Sequence, residues 1–383
     1  MKNILLLGAT GSIGKSVLSV ISQNKDKFNL IGIAFNTNIS IAQKIINDFL
    51  PKYVHIDDHD CFIKQTDNKN LSFMSGDSNL ENLIKLDEVD IIVCATSGFA
   101  GLKAMYFAAT TGKKILLANK ESIVAGGDLI MPLAKKYNSN IVPIDSEHNA
   151  IFQCLSGENG TEDVQKVIIT ASGGPFLNYS ISDLENVTLE EALNHPNWSM
   201  GNKITIDSAT LVNKCLELIE AKYLFDLDEQ IFQLVVHPQS IIHSIVTYKD
   251  GSSICQMSAP DMRVPIANGL SESNRIPISF DELNFTSLNL SFQEFPKDRM
   301  EIQNIARQIC NNGSNYGIVF NAANEIAVDS FINGQIEFSK IYEVIYRTFN
   351  KNNVSNDLSL DSINDIDKET RIEAKKVVKS ISN

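Results

Sequence analysis

Six short apolar runs punctuate the first 145 residues: Ile4 to Leu7, Asn29 to Phe35, Tyr53 to Ile56, Val89 to Cys94, Lys114 to Ala118 and Asn140 to Ile144. Runs of this length without polar alternation suit strands buried on both faces of a parallel sheet. Helical patterns lie between several of them, including Lys15 to Ser22 and Ile39 to Phe49. Strand and helix in alternation predict an α/β fold, with a Rossmann-like, doubly wound parallel sheet over residues 1–145. Gly8-Ala9-Thr10-Gly11-Ser12-Ile13-Gly14 follows the first run directly. Glycines at this spacing allow a tight turn and let backbone N–H groups approach a pyrophosphate at a helix N-terminus. The loop predicts dinucleotide binding, against the plainer reading of a packing turn.

After Asn149 the pattern becomes α+β. Val164 to Thr170 reads as a strand, residues 182–193 as helical, His195 to Gly201 as a loop, and residues 208–225 as one helix. Strands follow at Gln233–Val236, Ile241–Tyr248 and Ser253–Met257, with Lys249-Asp250-Gly251 as a hairpin turn. Expected segments are a catalytic and dimerisation domain over 146–270, an extended linker over 271–297 and a C-terminal helical bundle over 298–383.

At 383 residues the chain is too long for one ordinary core. Its formal charge of -13 argues against nucleic acid and anionic membrane as partners. No apolar run approaches the ~20 residues that span a bilayer. The first run is too short and too lightly flanked for a signal peptide, so a cytoplasmic location is expected. Six scattered cysteines, with no Cys-x-x-Cys pair, predict buried free thiols rather than zinc or redox sites.

Several polar clusters carry candidate chemistry. The stretch after the second strand, Ala34-Phe35-Asn36-Thr37-Asn38, lacks the acid that commonly holds the NAD ribose, which favours NADP. Asn119-Lys120-Glu121-Ser122 follows a buried strand, where ligands bind in such folds; a surface ion pair is the plainer alternative. In Asp145-Ser146-Glu147-His148, two carboxylates at i and i+2 would point the same way on an extended segment. Glu217 can complete an all-oxygen set for Mg²⁺ or Mn²⁺, whereas Asp-x-Glu alone is usually a solvated turn. Ser172-Gly173-Gly174 can expose backbone amides to a phosphate. Ser208 at a helix start would cap it and offer its dipole to an anion. Asn213 shares a helix face with Glu217, and Lys214 is a point charge suited to phosphate. The 195–201 loop, with the only Trp, suits a lid that excludes water, or a rigid loop around a buried Trp.

Taken together, G-A-T-G-S-I-G, N-K-E-S, D-S-E-H, A-S-G-G-P-F, H-P-N-W-S-M-G, D-S-A-T-L-V-N-K, H-P-Q-S-I-I-H, A-P-D-M-R and N-A-A-N-E stand in the order seen in 1-deoxy-D-xylulose 5-phosphate reductoisomerases. The chain resembles that family from residue 1 to beyond 330. The resemblance implies rearrangement of 1-deoxy-D-xylulose 5-phosphate and NADPH-dependent reduction to 2-C-methyl-D-erythritol 4-phosphate, in non-mevalonate isoprenoid biosynthesis. It implies Mg²⁺, Mn²⁺ or Co²⁺ on Asp145, Glu147 and Glu217, with Lys214 completing the catalytic set. Ser146 and Lys214 would meet the substrate hydroxyls; Ser172, His195, Ser208, Asn213 and Lys214 its phosphate; Trp198 and Met200 would lie on the lid. Cofactor contacts would fall on Thr10, Gly11, Ser12, Ile13, Asn36, Asn119, Lys120, Glu121, Gly201 and Met262. A homodimer through the strands between 233 and 257 is also implied.

Two positions depart from the family pattern: Cys215 stands where a small Gly is frequent, and Thr37 where some members carry a basic residue. The Cys215 thiol is expected to be inert. Two rival readings are an NADP-dependent dehydrogenase of the short-chain type and a non-catalytic NADP-binding sensor. The first needs Tyr-x-x-x-Lys, and none of the nine Tyr has Lys four residues on.

Overall fold

The computed structural model describes residues 1–56, 71–158, 160–180, 182–272, 274–351 and 358–382. The chain forms two compact units. The first takes Met1–Asn119, Ile130–Asn149 and Asp261–Phe280; the second takes Lys120–Leu129, Ala150–Pro260 and Asp281–Asn383.

In the first unit seven strands form one sheet: β1 (Lys2–Leu7), β2 (Phe28–Phe35), β3 (Tyr53–Ile56), β4 (Ser72–Met74), β5 (Ile91–Cys94), β6 (Lys114–Leu117) and β7 (Asn140–Pro143). Their order is β4-β3-β2-β1-β5-β6-β7, every neighbouring pair parallel. The six expected strands are present; β4 was not expected. Ile4, Leu5, Leu6 and Leu7 are buried on both faces, as an unbroken apolar run requires. The winding reverses between β1 and β5, and ligands bind outside the strand ends at such a switch point. Gly8 ends β1 with φ +84°, and a Cβ there would come within 2.4 Å of the Ala95 carbonyl oxygen after β5. Only glycine fits both the torsion and the gap. The helix Ser12–Gln23 then starts at a Gly11 N-cap with no side-chain cap and no acid in its first turn. Its leading amides are thus left for a ligand or water.

The second unit holds a five-stranded sheet of β8 (Val164–Ala171), β9 (Phe232–Val236), β10 (Ile242–Tyr248), β11 (Ser253–Met257) and β12 (Gln293–Glu294), in the order β11-β10-β8-β9-β12. Only β8 and β9 pair in parallel. The expected hairpin joins β10 to β11, with Gly251 at φ +87°. Four long helices follow: Met300–Asn312, Ser314–Ile332, Lys340–Lys351 and Leu360–Ile381. In the third, Ile341, Val344, Ile345, Thr348 and Phe349 are buried, a stripe at helical spacing. Ser359 caps the fourth through a reciprocal pair with Ser362. Among the described residues, no helix is long and apolar enough to cross a membrane.

Four local expectations need correction. Residues 182–193 are not one helix: a short turn of 3₁₀ helix, Asp183–Asn186, ends at extended Val187, and Thr188 caps the new helix Leu189–Leu193 with Glu191. Residues 208–225 also divide, into the end of a helix Asn202–Ala209 and a second helix Val212–Phe225. The Thr210 hydroxyl bonds back to the Ile206 and Asp207 carbonyls, and Leu211 turns left-handed at φ +62°. Ser208 therefore closes a helix and caps none at its start. The Asp145–Glu147 segment is not extended: a helix runs Ser146–Cys154, and the Asp145 carboxylate accepts the Glu147 backbone N–H at 3.3 Å. The buried-thiol expectation holds for Cys94, Cys154, Cys215 and Cys310 but fails for Cys255, exposed on edge strand β11; Cys61 lies outside the described residues.

Candidate active site

Polar groups of interest lie in each unit. In the first, the loop residues Thr10 and Ile13 are partly exposed, and Gly11 and Ser12 fully so. Asn36 is exposed just past β2, while Asn38 is spent on capping the next helix at Ile41. No acid stands at that strand end. Asn119 is buried after β6, and its amide holds the Thr96 and Gly98 carbonyls at 2.6 and 2.9 Å. These two bonds shape the neighbouring loop. Met262 packs on the apolar core of this unit just before the helix Arg263–Leu270.

Asp145, Ser146, Glu147 and His148 stand at the start of the helix after β7. Asp145 and Ser146 are nearly buried and His148 fully so. His148 Nδ1 lies 3.1 Å from Asp145 Oδ1, and the Ser146 hydroxyl donates to Glu147 Oε2 at 2.6 Å. The imidazole orients one carboxylate and the hydroxyl the other.

In the second unit a buried charge cluster centres on Glu217. Its Oε1 accepts from Lys120 Nζ at 3.1 Å and from the Asn213 amide; its Oε2 accepts from Lys214 Nζ at 2.7 Å. Lys120 Nζ also donates to Asn213 Oδ1 at 2.9 Å. Side-chain exposures are 5% for Lys120, 7% for Lys214 and 1% for Glu217. Lys120 and Lys214 thus approach opposite oxygens of the Glu217 carboxylate. Removing one partner of such a cluster costs about 3–5 kcal/mol, because the remaining charge stays desolvated. The sequence reading left open that Lys120 was a surface ion pair; burial excludes it.

A second cluster is neutral. His195 Nε2 lies 3.0 Å from Ser172 Oγ and 3.1 Å from Ser208 Oγ. Its Nδ1 accepts backbone N–H groups from Asn197 and Trp198 at 3.1 and 3.0 Å. An acceptor at Nδ1 puts the ring proton on Nε2, facing the two hydroxyls. Burial, with Lys214 nearby, pulls the His195 pKa down to about 4, so the ring is neutral at pH 7. Gly174 has φ +65°, and a Cβ there would meet the Ser208 carbonyl oxygen and the Ala209 Cα at 2.9 Å. The Gly-Gly turn thus lets the Ser172 strand end approach Ser208. Hydroxyls, an Nε2–H donor and a nearby ammonium make a cup suited to phosphate.

The 195–201 loop is tied at its start. Asn197 Nδ2 donates to the Pro238 carbonyl at 2.7 Å and to Ser240 Oγ at 3.0 Å. Trp198 is half-buried, its ring 6.1 Å from that of His243. The H-P-Q-S-I-I-H run, given no role from the sequence, thus anchors this loop. Gly201 is exposed and begins the helix Asn202–Ala209. Cys215 is fully buried, and burial drives its thiol well above the ordinary range, away from the reactive thiolate, as expected. Sequence reasoning gave no role to Lys203, Asp207 and Asn324: Asp207 and Asn324 stand in the D-S-A-T-L-V-N-K and N-A-A-N-E runs, and Lys203 was signalled only by its i, i+4 spacing to Asp207.

With this geometry in view, three family models match in chain order. One, described as 1-deoxy-D-xylulose 5-phosphate reductoisomerase, covers residues 4–127. Its C-terminal domain covers 141–225, and a further DXP reductoisomerase C-terminal domain covers 257–373. The chain belongs to the 1-deoxy-D-xylulose 5-phosphate reductoisomerase family. A reductoisomerase from Thermoanaerobacter pseudethanolicus is 44% identical over 97% of this chain and 98% of its own. One from Clostridium perfringens is 42% identical over 97% of this chain and 98% of its own. Among solved structures, a DOX-P reductoisomerase in complex with NADPH, fosmidomycin and magnesium aligns with a TM-score of 0.93 at 37% identity, covering 99% of this chain and 98% of that one. The Zymomonas mobilis reductoisomerase in complex with NADPH aligns with a TM-score of 0.91 at 37% identity, covering 99% of each chain. Membership in the reductoisomerase family removes the short-chain dehydrogenase and silent-sensor readings.

Proposed function

We propose that this chain rearranges 1-deoxy-D-xylulose 5-phosphate and reduces the product with NADPH to 2-C-methyl-D-erythritol 4-phosphate, a step of non-mevalonate isoprenoid biosynthesis. The observation that carries this reading is the hydroxyl–imidazole cup, with a buried lysine near it, in a chain of the reductoisomerase family.

Ser172, Ser208, His195 Nε2–H, Asn213 and Lys214 hold the phosphate, and Ser146 with Lys214 meets the hydroxyls. A neutral His195 can donate to a phosphate oxygen without itself carrying charge. The phosphate is remote from the reacting carbons, so its binding energy can drive closure of the Trp198–Met200 stretch over the site. Such closure excludes water. Thr10, Gly11, Ser12 and Ile13 present backbone amides to the pyrophosphate. Asn36, Asn119, Lys120, Glu121, Gly201 and Met262 complete the cofactor's surroundings.

Asp145, Glu147 and Glu217 are the candidate ligands of one divalent cation, Mg²⁺, Mn²⁺ or Co²⁺. Their chemistry fits: all three offer carboxylate oxygens, which suit hard cations. Glu217 Oε1 accepts from Lys120 and Asn213 and Oε2 from Lys214, so a cation would share this carboxylate with those donors. When bound, the cation supplies Lewis-acid stabilisation of the enolate and the nicotinamide supplies the hydride.

Residues 1–145 serve as the NADPH-binding domain, 146–270 as the catalytic and dimerisation domain, 271–297 as a linker and 298–383 as a helical domain. A cytoplasmic homodimer forms through the β10–β11 hairpin region, whose edge strand exposes Ile254. The deciding assay follows NADPH oxidation with 1-deoxy-D-xylulose 5-phosphate. Oxidation is expected to require that sugar phosphate, to stop with a chelator and to resume with added Mg²⁺ or Mn²⁺. A flat trace with substrate and metal both present overturns the assignment.

A further inference from the structure

Lys203 lies outside every group assigned so far, yet it is held on two sides. Its Nζ stands 2.7 Å from Glu121 Oε1 and 2.9 Å from Asp207 Oδ2. Asp207 is buried at 1% side-chain exposure, and its Oδ1 accepts from Asn324 Nδ2 at 2.8 Å. A surface ion pair would contribute little. This one is different, because the ammonium stands between two nearly buried carboxylates and is itself only a quarter exposed.

The partners sit at informative places in the chain. Glu121 follows Lys120, whose ammonium holds Glu217 and Asn213. Asp207 precedes Ser208, which faces the His195 ring. Lys203 therefore clasps the start of the Lys120–Tyr137 helix to the helix Asn202–Ala209, across 82 positions of sequence. Burial works to raise the Glu121 carboxyl, and the Lys203 ammonium outweighs it, keeping Glu121 below the usual carboxylate range. Asp207 stays above its usual range, since burial there exceeds what Lys203 and Asn324 return.

We propose that Lys203 is a positioning residue for the reductoisomerase reaction: it fixes Glu121 for the cofactor and the Ser208 helix for the substrate phosphate. This rests on the function proposed above, which places Glu121 by the cofactor and Ser208 by the phosphate. Lys203 touches neither ligand and acts through its two carboxylate partners. Its loss leaves both of them buried around a missing charge.

The test uses the full chain as Lys203→Met and Lys203→Arg. NADPH affinity is measured by nicotinamide fluorescence without substrate, and KM and kcat with 1-deoxy-D-xylulose 5-phosphate. Lys203→Met is expected to raise both the NADPH Kd and the sugar-phosphate KM roughly tenfold, with a smaller change in kcat. Lys203→Arg is expected to recover most of that loss, because its fork can span two carboxylates. In a Lys203→Met/Glu121→Gln double variant the NADPH Kd should be no weaker than in Lys203→Met alone. A lowered melting temperature with Kd and KM within twofold of the parent overturns the proposal, as does full additivity in the double variant. If Lys203→Met does not fold, Asp207→Asn keeps the shape; it should raise the sugar-phosphate KM while leaving the NADPH Kd in place, and an unchanged KM overturns the proposal. A parent chain with no substrate-dependent oxidation sinks the function reading instead, while the NADPH titration still judges Lys203.

Discussion

In the first unit, the loop that follows β1 offers a ligand glycines, short hydroxyls and backbone amides, and much of it lies open to solvent. In the second unit, the corresponding groups are three charged side chains, Lys120, Lys214 and Glu217, and the Asn213 amide, buried and already bonded to one another. On the function proposed above, the contrast follows from what each would hold. A pyrophosphate met by N–H groups needs little from side chains beyond their being small. A reacting centre needs charges fixed before the substrate arrives, and fixing them requires burial and several partners per group.

The largest expected effect breaks the charged side of this contrast. Glu217→Gln removes the charge that both lysines surround, and turnover should fall by roughly 10³-fold. The NADPH Kd, read by fluorescence without substrate, should stay within about twofold. Unchanged turnover would remove Glu217 from the metal and catalytic set.

A middle-sized effect concerns the neutral cup. The His195 pKa sits at about 4 in the fold, below its ordinary value of 6.5. The unfolded chain therefore takes up that proton first as pH falls. The contribution of neutral His195 to stability is present above pH 6.5 and is lost as pH drops from there through about 4. Denaturation midpoints measured across this window should decline, and His195→Asn should flatten that decline. An unaltered slope would mean that His195 is not held neutral.

The smallest effect sharpens the backbone side. Thr10→Ala leaves the loop amides in place, and the NADPH Kd should change by less than about threefold. A tenfold loss would show that this unit, too, depends on a particular side chain.

How much of this was legible in the sequence follows the same division. The strands of the parallel sheet could be read because residues buried on both faces leave unbroken apolar runs, and the β1 loop because Gly8 answers a torsional need and Gly14 a steric one. β4 escaped notice because Ser72-Phe73-Met74 is short and polar at one end, on the sheet's edge. The break at Leu211 was hidden, since no Gly or Asn marks the left-handed turn and the apolar spacing runs on through it. Glu217 could be named because its motif is distinctive. Lys203 could not: a lysine in the first turn of a helix looks solvated, and one of its two partners lies 82 positions away.

The second unit includes Lys120–Leu129, ten residues that follow β6 of the first. They supply the Lys120 ammonium for Glu217, the Glu121 carboxylate for Lys203, and Gly127, where any side chain would strike the Tyr223 ring. A gene fragment cut to begin at Ala150 would discard all three, leaving Glu217 and Lys203 each short of one charged partner and opening a gap beside an aromatic ring. The unit cannot be transplanted as one continuous stretch of DNA; its inheritance is bound to that of the strand that precedes those ten residues.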